Sequence, residues 1–426
     1  MTDREFTPLI PQHQATSAAT GPYVNGRGRE AAETGLYVHI PFCFHKCHYC
    51  DFYSIVDRDE PGRDRQRAFT DALIAELRRQ ATSYSLRPTT IFIGGGTPTL
   101  LRADLWQRLL SAMREVGVLE RAVEFTVEAN PETVSAALLD VLVRGGVNRL
   151  SMGAQSFQPR LLKTLERWHE PASVAKAAAL AQRAGIDNIN LDLIFAIPGQ
   201  TMDELDADLD AALALEPTHL SCYSLIFEPE TPLAMKRRQG HIEPMDDETE
   251  RAMYERVMQR LDEAGFEQYE ISNWAKRVSS SRFQVSGSGG GDEGVIGRYR
   301  CKHNVLYWTN GDWIGVGPSA ASHVVGQRWK NVPHLGLYMA GSPTPPVRDV
   351  EQLDDEARIG EQLMLGLRLR EGVALDWLNE ALPADHSRRT LIEGFVAQGL
   401  LEYTDTHLRL TQDGLFVADG VVSELL

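Results

Sequence analysis

Three cysteines lie close together near the start of the chain: Cys43, Cys47 and Cys50. Thiolates so near one another are costly to hold as free anions, so their grouping indicates a metal centre. The C-x3-C-x2-C spacing would give three ligands to a [4Fe–4S] cluster and leave the fourth iron able to chelate an amine and a carboxylate. A zinc site completed by His45 or His48 is the alternative. The chain has no second C-x2-C pair, which favours the cluster.

A second group of residues whose side chains could bind a ligand lies around position 300. His303 could ligate iron through a neutral imidazole, and Tyr307 and Trp308 are large aromatic residues that could pack beside such a site. Cys301 is an alternative soft ligand, whereas Cys222 lies in an apolar run and is predicted to be a small buried residue. A simpler interpretation of the same segment is a strand histidine and two aromatic residues that fill a core.

Six β-type runs, separated by single amphipathic helical stretches, must position these residues. The predicted strands are Leu36–Ile40, Thr90–Ile93, Glu124–Val127, Arg149–Met152, Asn190–Phe195 and His219–Leu225, with helices over 64–82, 103–117, 132–145, 172–185 and 202–215. This alternation predicts an α/β fold of parallel βα units with right-handed crossovers. Periodicity alone leaves open whether the sheet closes partly into a barrel. In either case, ligands should gather at the C-terminal ends of the strands.

Composition changes along the chain predict four regions, at 1–34, 35–275, 276–350 and 351–426. The first is polar and is predicted to be a mobile arm. A helix at 247–264 and a strand at Gln268–Ser272 are predicted in the second. The third contains a Gly- and Ser-rich stretch at 278–298, which predicts a flexible loop. The last region ends, over 388–426, in a helix, a short hairpin and a helix, an order typical of a winged-helix module.

The overall composition narrows the class of protein. The 426 residues carry a net charge of −16, which argues against a nucleic-acid-binding surface as the main function. No apolar run approaches the ~20 residues of a membrane-spanning helix, and no secretory signal is evident at the N-terminus. Five cysteines in this arrangement do not indicate a disulfide scaffold. A cytosolic globular protein is therefore expected.

The cysteine loop, from Tyr37 to Phe52 (YVHIPFCFHKCHYCDF), resembles that of the radical S-adenosylmethionine (SAM) superfamily. Later segments resemble the same superfamily in the same order, including GGGTP at 94–98 and TVEANP at 126–131. The resemblance implies a partial (βα)6 barrel that carries a [4Fe–4S] cluster on the three cysteines. It assigns SAM contacts to Tyr37, Tyr49, Gly95, Gly96, Thr97, Glu128, Gln155, Arg167 and Asp192. For Arg167 a solvated helix charge is the alternative, and Asp192 is a carboxylate in an apolar run, which is costly without a partner.

The resemblance narrows to the coproporphyrinogen dehydrogenase group and covers about residues 35–426. Oxygen-independent coproporphyrinogen dehydrogenases (HemN) carry a further cysteine two places after the third cluster cysteine, where this chain has Phe52. Their relatives, the HemW heme chaperones, lack that cysteine and carry an HNxxYW segment. This chain has His303, Asn304, Tyr307 and Trp308 in that pattern and so resembles HemW.

The HemW resemblance implies a protein that binds heme through the HNxxYW residues and delivers it to respiratory enzymes near the membrane. The cluster and SAM would then be structural or regulatory. The alternative function is an enzyme that cleaves SAM to a radical and converts coproporphyrinogen III to protoporphyrinogen IX. Because the chain is acidic, any contact with the membrane should run through a protein partner. Whether the protein forms a homodimer is left open, as is the role of the 278–298 insertion.

Overall fold

The computed structural model describes residues 33–58, 64–278 and 297–426. Nearly all of the predicted arm at 1–34 and of the Gly- and Ser-rich stretch at 278–298 lies outside these ranges, so both remain predictions. Within the described ranges, none of the helices combines the length and the apolar character needed to span a bilayer.

Strands and helices follow one another through most of the described chain. The strands are β1 Thr34–Ile40, β2 Phe42–Cys43, β3 Ile55–Val56, β4 Thr90–Gly95, β5 Glu124–Ala129, β6 Arg149–Gln155, β7 Asn188–Phe195, β8 His219–Ser224, β9 Phe266–Glu270, β10 Asn273–Lys276, β11 Asp312–Val316, β12 Ala321–Val324, β13 Gln327–Asn331, β14 Val347–Gln352, β15 Val373–Ala374, β16 Leu401–Tyr403 and β17 His407–Leu410. The helices are α1 Arg65–Ser83, α2 Ala103–Glu115, α3 Ala136–Arg144, α4 Pro159–Thr164, α5 Pro171–Arg183, α6 Met202–Leu213, α7 Pro232–Arg238, α8 Asp247–Glu263, α9 Lys302–Trp308, α10 Leu335–Gly341, α11 Asp355–Gly366, α12 Leu375–Ala381, α13 Ser387–Ala397, α14 Gln412–Phe416 and α15 Ala418–Glu424.

All six predicted strands are confirmed, as β1, β4, β5, β6, β7 and β8. They pair in parallel and lie side by side in chain order, as successive βα units require. The five helices predicted between them are confirmed as α1, α2, α3, α5 and α6. The α3 helix begins later than predicted, at Ala136, because Pro131–Thr133 forms a separate short 3-10 helix.

The two faces of this sheet differ in polarity. In β6, Leu150 and Met152 are fully buried in the main apolar core, whereas Arg149 and Ser151 alternate with them on the other face. That second face is concave: the Tyr269 hydroxyl of β9 accepts a hydrogen bond from the Cys301 amide. The Cys301 thiol in turn contacts Glu124 of β5. Cys301 thus bridges two strands that are far apart in the sheet order, as expected where a sheet curves into a partial barrel.

The sheet extends beyond β1 in a way that the sequence did not predict. Strand β11 pairs in parallel with β1, and β12, β13 and β14 continue the sheet in antiparallel order. Glu76 of α1 fastens this extension to the barrel. Its buried carboxyl accepts hydrogen bonds from the Gly317 amide at 2.8 Å, the Asn331 amide group at 2.7 Å and the Tyr338 hydroxyl at 2.5 Å.

The C-terminal region has its own apolar core, formed by leucines such as Leu363, Leu378 and Leu408. The predicted order of helix, hairpin and helix is confirmed by α13, the β16–β17 pair and the final helices. Tyr254 and Met258 of α8 pack against both this core and the barrel core. The α8 helix therefore joins the two parts of the molecule.

Candidate functional site

The loop that carries the three cysteines is fixed at the C-terminal edge of the barrel strands. Short strands β2 and β3 pair within it, and the Asp57 amide donates to the Cys43 carbonyl at 2.8 Å. The Thr97 amide, just after β4, donates to the Phe42 carbonyl at 2.7 Å. Cys47 is buried, and Cys43 and Cys50 are half-buried.

The surroundings of the cysteines suit a cluster whose iron would balance the negative charge of the thiolates. Burial raises the pKa of the Cys43 thiol, and it raises that of Cys50 to about 11. Two donors already point at sulfur atoms: Arg167 Nη1 lies 3.6 Å from Cys47 Sγ, and Thr97 Oγ1 lies 3.5 Å from Cys43 Sγ. Ligation to iron would make thiolates favourable here, because the metal supplies the missing positive charge. The three predicted ligands therefore fit a [4Fe–4S] cluster.

The zinc alternative has less support in this conformation. Among the described residues, no three His, Cys, Asp or Glu side chains are placed to hold a single metal ion. The His45 ring is stacked on Trp168, with 3.9 Å between the ring centroids. A cluster differs from zinc in binding one thiolate at each of several irons, so its ligands need not converge on one point.

The glycines at the end of β4, Gly94 to Gly96, allow three close approaches. A Cβ at Gly94 would lie 2.7 Å from Glu128 Oε2, and one at Gly96 would lie 2.7 Å from the Pro41 carbonyl carbon. Gly95 has a φ of +107°, and a Cβ there would meet the His39 ring at 2.5 Å. Packing inside the chain thus explains each glycine. The predicted contact of this segment with SAM remains a prediction.

Two carboxyl groups predicted to contact SAM lie on the concave face near the same edge. Burial, reinforced by the charge of Asp192, raises the pKa of Glu128 to about 7. Burial also raises the pKa of Asp192, although the Asn190 amide group donates to it at 2.7 Å. Burial and the charge of Glu128 raise the pKa of Tyr37. The mutual influence of these groups shows that the structure brings them together, and a cationic ligand would relieve the repulsion.

The remaining predicted SAM residues cluster around Arg167. Its Nη2 donates to the Gly153 carbonyl at 2.8 Å, so Arg167 is a bonded, half-buried side chain rather than a solvated helix charge. Gln155 is buried at the end of β6 with a φ of 65°, and its amide nitrogen lies beside Gly153. The charges of Arg167 and of Cys47 both act on the pKa of Tyr49, which burial raises.

The HNxxYW segment lies at the opposite, N-terminal end of the strands. It forms helix α9, so the interpretation of His303 as a strand residue is wrong. The distant carboxylate of Glu124 stabilises the helix start, because it accepts hydrogen bonds from the Lys302 amide at 2.9 Å and the His303 amide at 3.0 Å. Because this contact comes from a distant strand, the local sequence pattern around His303 does not predict the helix.

His303 is only 1% exposed, and both of its ring nitrogens have partners. Nδ1 lies 2.9 Å from Thr90 Oγ1, and Nε2 lies 2.8 Å from the Tyr307 hydroxyl oxygen. Burial lowers the pKa of His303 to about 3, so the imidazole is neutral. A neutral imidazole suits iron, but in this conformation Nε2 is occupied. Heme ligation by His303 therefore remains a prediction.

The four HNxxYW residues do not form one surface. His303 and Tyr307 contact each other at the barrel floor, the N-terminal end of the barrel strands, with ring centroids 4.8 Å apart. Trp308 instead faces the C-terminal region, where the Arg368 guanidinium lies 4.4 Å from its ring centroid. Asn304 is half-buried. Cys301 is fully buried, which raises its pKa to about 12, and its thiol contacts Glu124.

Sequence reasoning missed the polar residues of the barrel floor. Thr90, Glu124 and Arg149 are the first residues of β4, β5 and β6, and all three are buried. A signal was present in β5, where Glu124, Thr126 and Glu128 occupy every second position. Polar residues at a spacing of two within a buried strand indicate a polar interior on one face of the sheet.

Comparison with protein families supports two assignments along the chain. Residues 37–212 match the radical SAM superfamily, and residues 353–417 match the HemN C-terminal domain. The solved structure of coproporphyrinogen III oxidase (HemN) from Escherichia coli resembles the chain with a TM-score of 0.76. The alignment covers 92% of this chain and 90% of that one at 21% identity, which establishes the shared fold.

Curated relatives match over nearly the whole chain. The heme chaperone HemW of Mycobacterium tuberculosis is 38% identical over 397 residues, covering 92% of this chain and 94% of the relative. HemW of Bacillus subtilis is 34% identical, with 92% and 98% covered, and HemW of Escherichia coli is 34% identical, with 92% and 97% covered. With this identity over so much of both chains, the chain belongs to the HemW family of the radical SAM superfamily.

Proposed function

We propose that this protein is a heme chaperone, which binds heme and transfers it to a heme-dependent enzyme. The observation that carries the proposal is 38% identity, over 92% of the chain, to a relative named a heme chaperone. Phe52 adds support, because HemN-type enzymes resemble this chain but carry a cysteine at that position. Phe52, at the end of the cysteine loop, is 63% exposed. Because a phenyl ring has no atom that ligates iron, this position supplies no further ligand.

The cluster and SAM would occupy the C-terminal edge of the barrel. Cys43, Cys47 and Cys50 would hold the [4Fe–4S] cluster, which supplies one-electron chemistry and an open iron for SAM. Glu128 and Asp192 would face the positive charge of SAM, since they are the buried carboxyl groups of that cleft. Arg167 would orient Cys47 and help to balance the thiolate charge.

Heme would bind at the other end of the barrel, on α9. His303 is the proposed iron ligand, and Phe92, which stacks on it with 5.4 Å between ring centroids, supplies an apolar wall. We propose a respiratory heme enzyme as the recipient, reached at the membrane through a protein contact. A homodimer would be compatible with this scheme.

An anaerobic heme titration of cluster-reconstituted protein tests the proposal. The wild type should bind heme saturably and develop a Soret band, and His303→Ala should bind it much more weakly. His241→Ala removes an exposed histidine and should bind like the wild type. Equal binding in all three proteins would remove His303 from the site.

A second assay separates the chaperone from the enzyme. The protein, incubated with reductant, SAM and coproporphyrinogen III, should not release decarboxylated porphyrin. Formation of protoporphyrinogen IX together with 5′-deoxyadenosine, without saturable heme binding, would replace the chaperone proposal with the HemN-like reaction.

A further inference from the structure

The two ring nitrogens of His303 face partners of different kinds. Nδ1 meets Thr90, a buried residue at the start of β4, whereas Nε2 meets Tyr307 one turn along the same helix. Thr90 is anchored in the barrel sheet through its pairing with Gly35 of β1. The Tyr307 ring is half-buried and belongs to α9 itself. Thr90 is therefore fixed by the sheet, whereas the Tyr307 hydroxyl can move with its side chain.

Only one nitrogen of a neutral imidazole carries a proton, and the partners decide which one it is. A histidine that ligates metal usually donates its second ring N–H to an acceptor, which sets the tautomer and the ring direction. Thr90 Oγ1, which lies 2.9 Å from Nδ1, can act as such an acceptor. In that tautomer Nε2 presents its lone pair, and the Tyr307 hydroxyl, 2.8 Å away, can donate to it.

We propose that Thr90 is the positioning residue for His303, and that the Tyr307 hydroxyl occupies the Nε2 lone pair until heme iron replaces it. This inference rests on the proposed heme-chaperone function. It assigns Nδ1 to the protein and Nε2 to the iron. In the heme-free state, the Nε2 atom of His303 is then covered by Tyr307, a residue of the same HNxxYW segment.

The packing around the ring supports this division. Phe92 stacks on the imidazole, and the Gly35 backbone approaches it closely, since a Cβ at Gly35 would lie 3.0 Å from the His303 Cε1. These contacts hold the ring beside Thr90. Tyr307 has more freedom, because the Trp313 ring against which it packs is itself only half-buried.

The two partners give predictions of opposite sign. Thr90→Val keeps the shape but removes the acceptor, so heme affinity should fall about 10- to 100-fold, as for other partners of metal ligands. Thr90→Ser restores the hydroxyl and should bind heme within about twofold of the wild type. Tyr307→Phe keeps the ring but removes the competing hydrogen bond, so heme affinity should rise about twofold to tenfold.

Thermal unfolding of the heme-free variants gives a readout that is independent of heme. Tyr307→Phe leaves Nε2 buried without a partner, so its heme-free form should melt below the wild type and gain more from added heme. Unchanged heme affinity in Thr90→Val, or unchanged or weaker affinity in Tyr307→Phe, would overturn the inference. If the wild type does not bind heme, or if His303→Ala binds it equally, the proposed function itself fails, and these variants need not be compared.

Discussion

The Arg167 side chain joins two parts of the site that are far apart in the sequence. One of its terminal nitrogens donates to Cys47 Sγ and the other to the Gly153 carbonyl at the end of β6. The guanidinium thus places a positive charge and a hydrogen bond on one cysteine sulfur. Both features lower the electron density on that sulfur and should make a bound cluster easier to reduce.

Replacement of Arg167 by Gln should therefore make the reduction potential of the reconstituted cluster more negative, by roughly tens of millivolts. A redox titration followed by electron paramagnetic resonance measures the shift. Arg160→Gln is the matched control, because Arg160 lies on the adjacent helix α4 and pairs with Glu204 at the surface. Equal potentials in the two variants would contradict a direct effect of Arg167 on the cluster.

At the residue scale, the sequence indicates candidate ligands more readily than their partners. The three cysteines indicate a metal centre by type and spacing, and Asp192 is conspicuous as a carboxylate in an apolar run. Thr90 gives no such signal, because a threonine at a strand start is ordinary. Its contact with His303 depends on chain segments that only the folded barrel brings together.

At the scale of elements, helix α1 connects the barrel to its extension through one buried carboxyl group. Burial raises the pKa of Glu76 to about 7, while three hydrogen-bond donors oppose the shift. Ionisation of Glu76 in the folded protein is therefore unfavourable relative to the unfolded chain. Between pH 4.5 and about 7 the folded state holds a proton that the unfolded state has released.

The free energy of unfolding should consequently fall as the pH rises through that window, by about 3 kcal/mol from this group. Glu76→Gln cannot ionise and should lose this part of the pH dependence. Urea denaturation of both proteins at about pH 5 and about pH 8 measures the difference. Glu115→Gln, which changes an exposed carboxylate on α2, should keep the wild-type dependence. A parallel pH profile in Glu76→Gln and the wild type would show that Glu76 does not titrate in this range.

The elements of the barrel were predictable because each βα unit has a local signature, apolar runs followed by amphipathic helices. Strand β11 was not, since its parallel pairing with β1 is a contact between distant segments. The α9 helix was hidden for a related reason. It is only seven residues long, and its start is stabilised by Glu124 of another strand.

At the scale of the whole molecule, charge is the property that bears on partners. A net charge of −16 should keep the protein from anionic lipid surfaces, because like charges repel at low ionic strength. We expect no cosedimentation with protein-free anionic vesicles, and equally little with neutral ones. Tight binding to the anionic vesicles alone would contradict a membrane contact made through a protein partner.

The pairing of β1 with β11 also bears on how the protein is made. Strand β1 leaves the ribosome well before β11, the strand that covers its outer edge, because β11 is synthesised only after residues 41–311. At about 5–20 residues per second, that edge stays open for on the order of tens of seconds. An uncovered strand edge invites pairing with other chains. Nascent molecules of this protein should therefore need protection from aggregation until β11 has emerged.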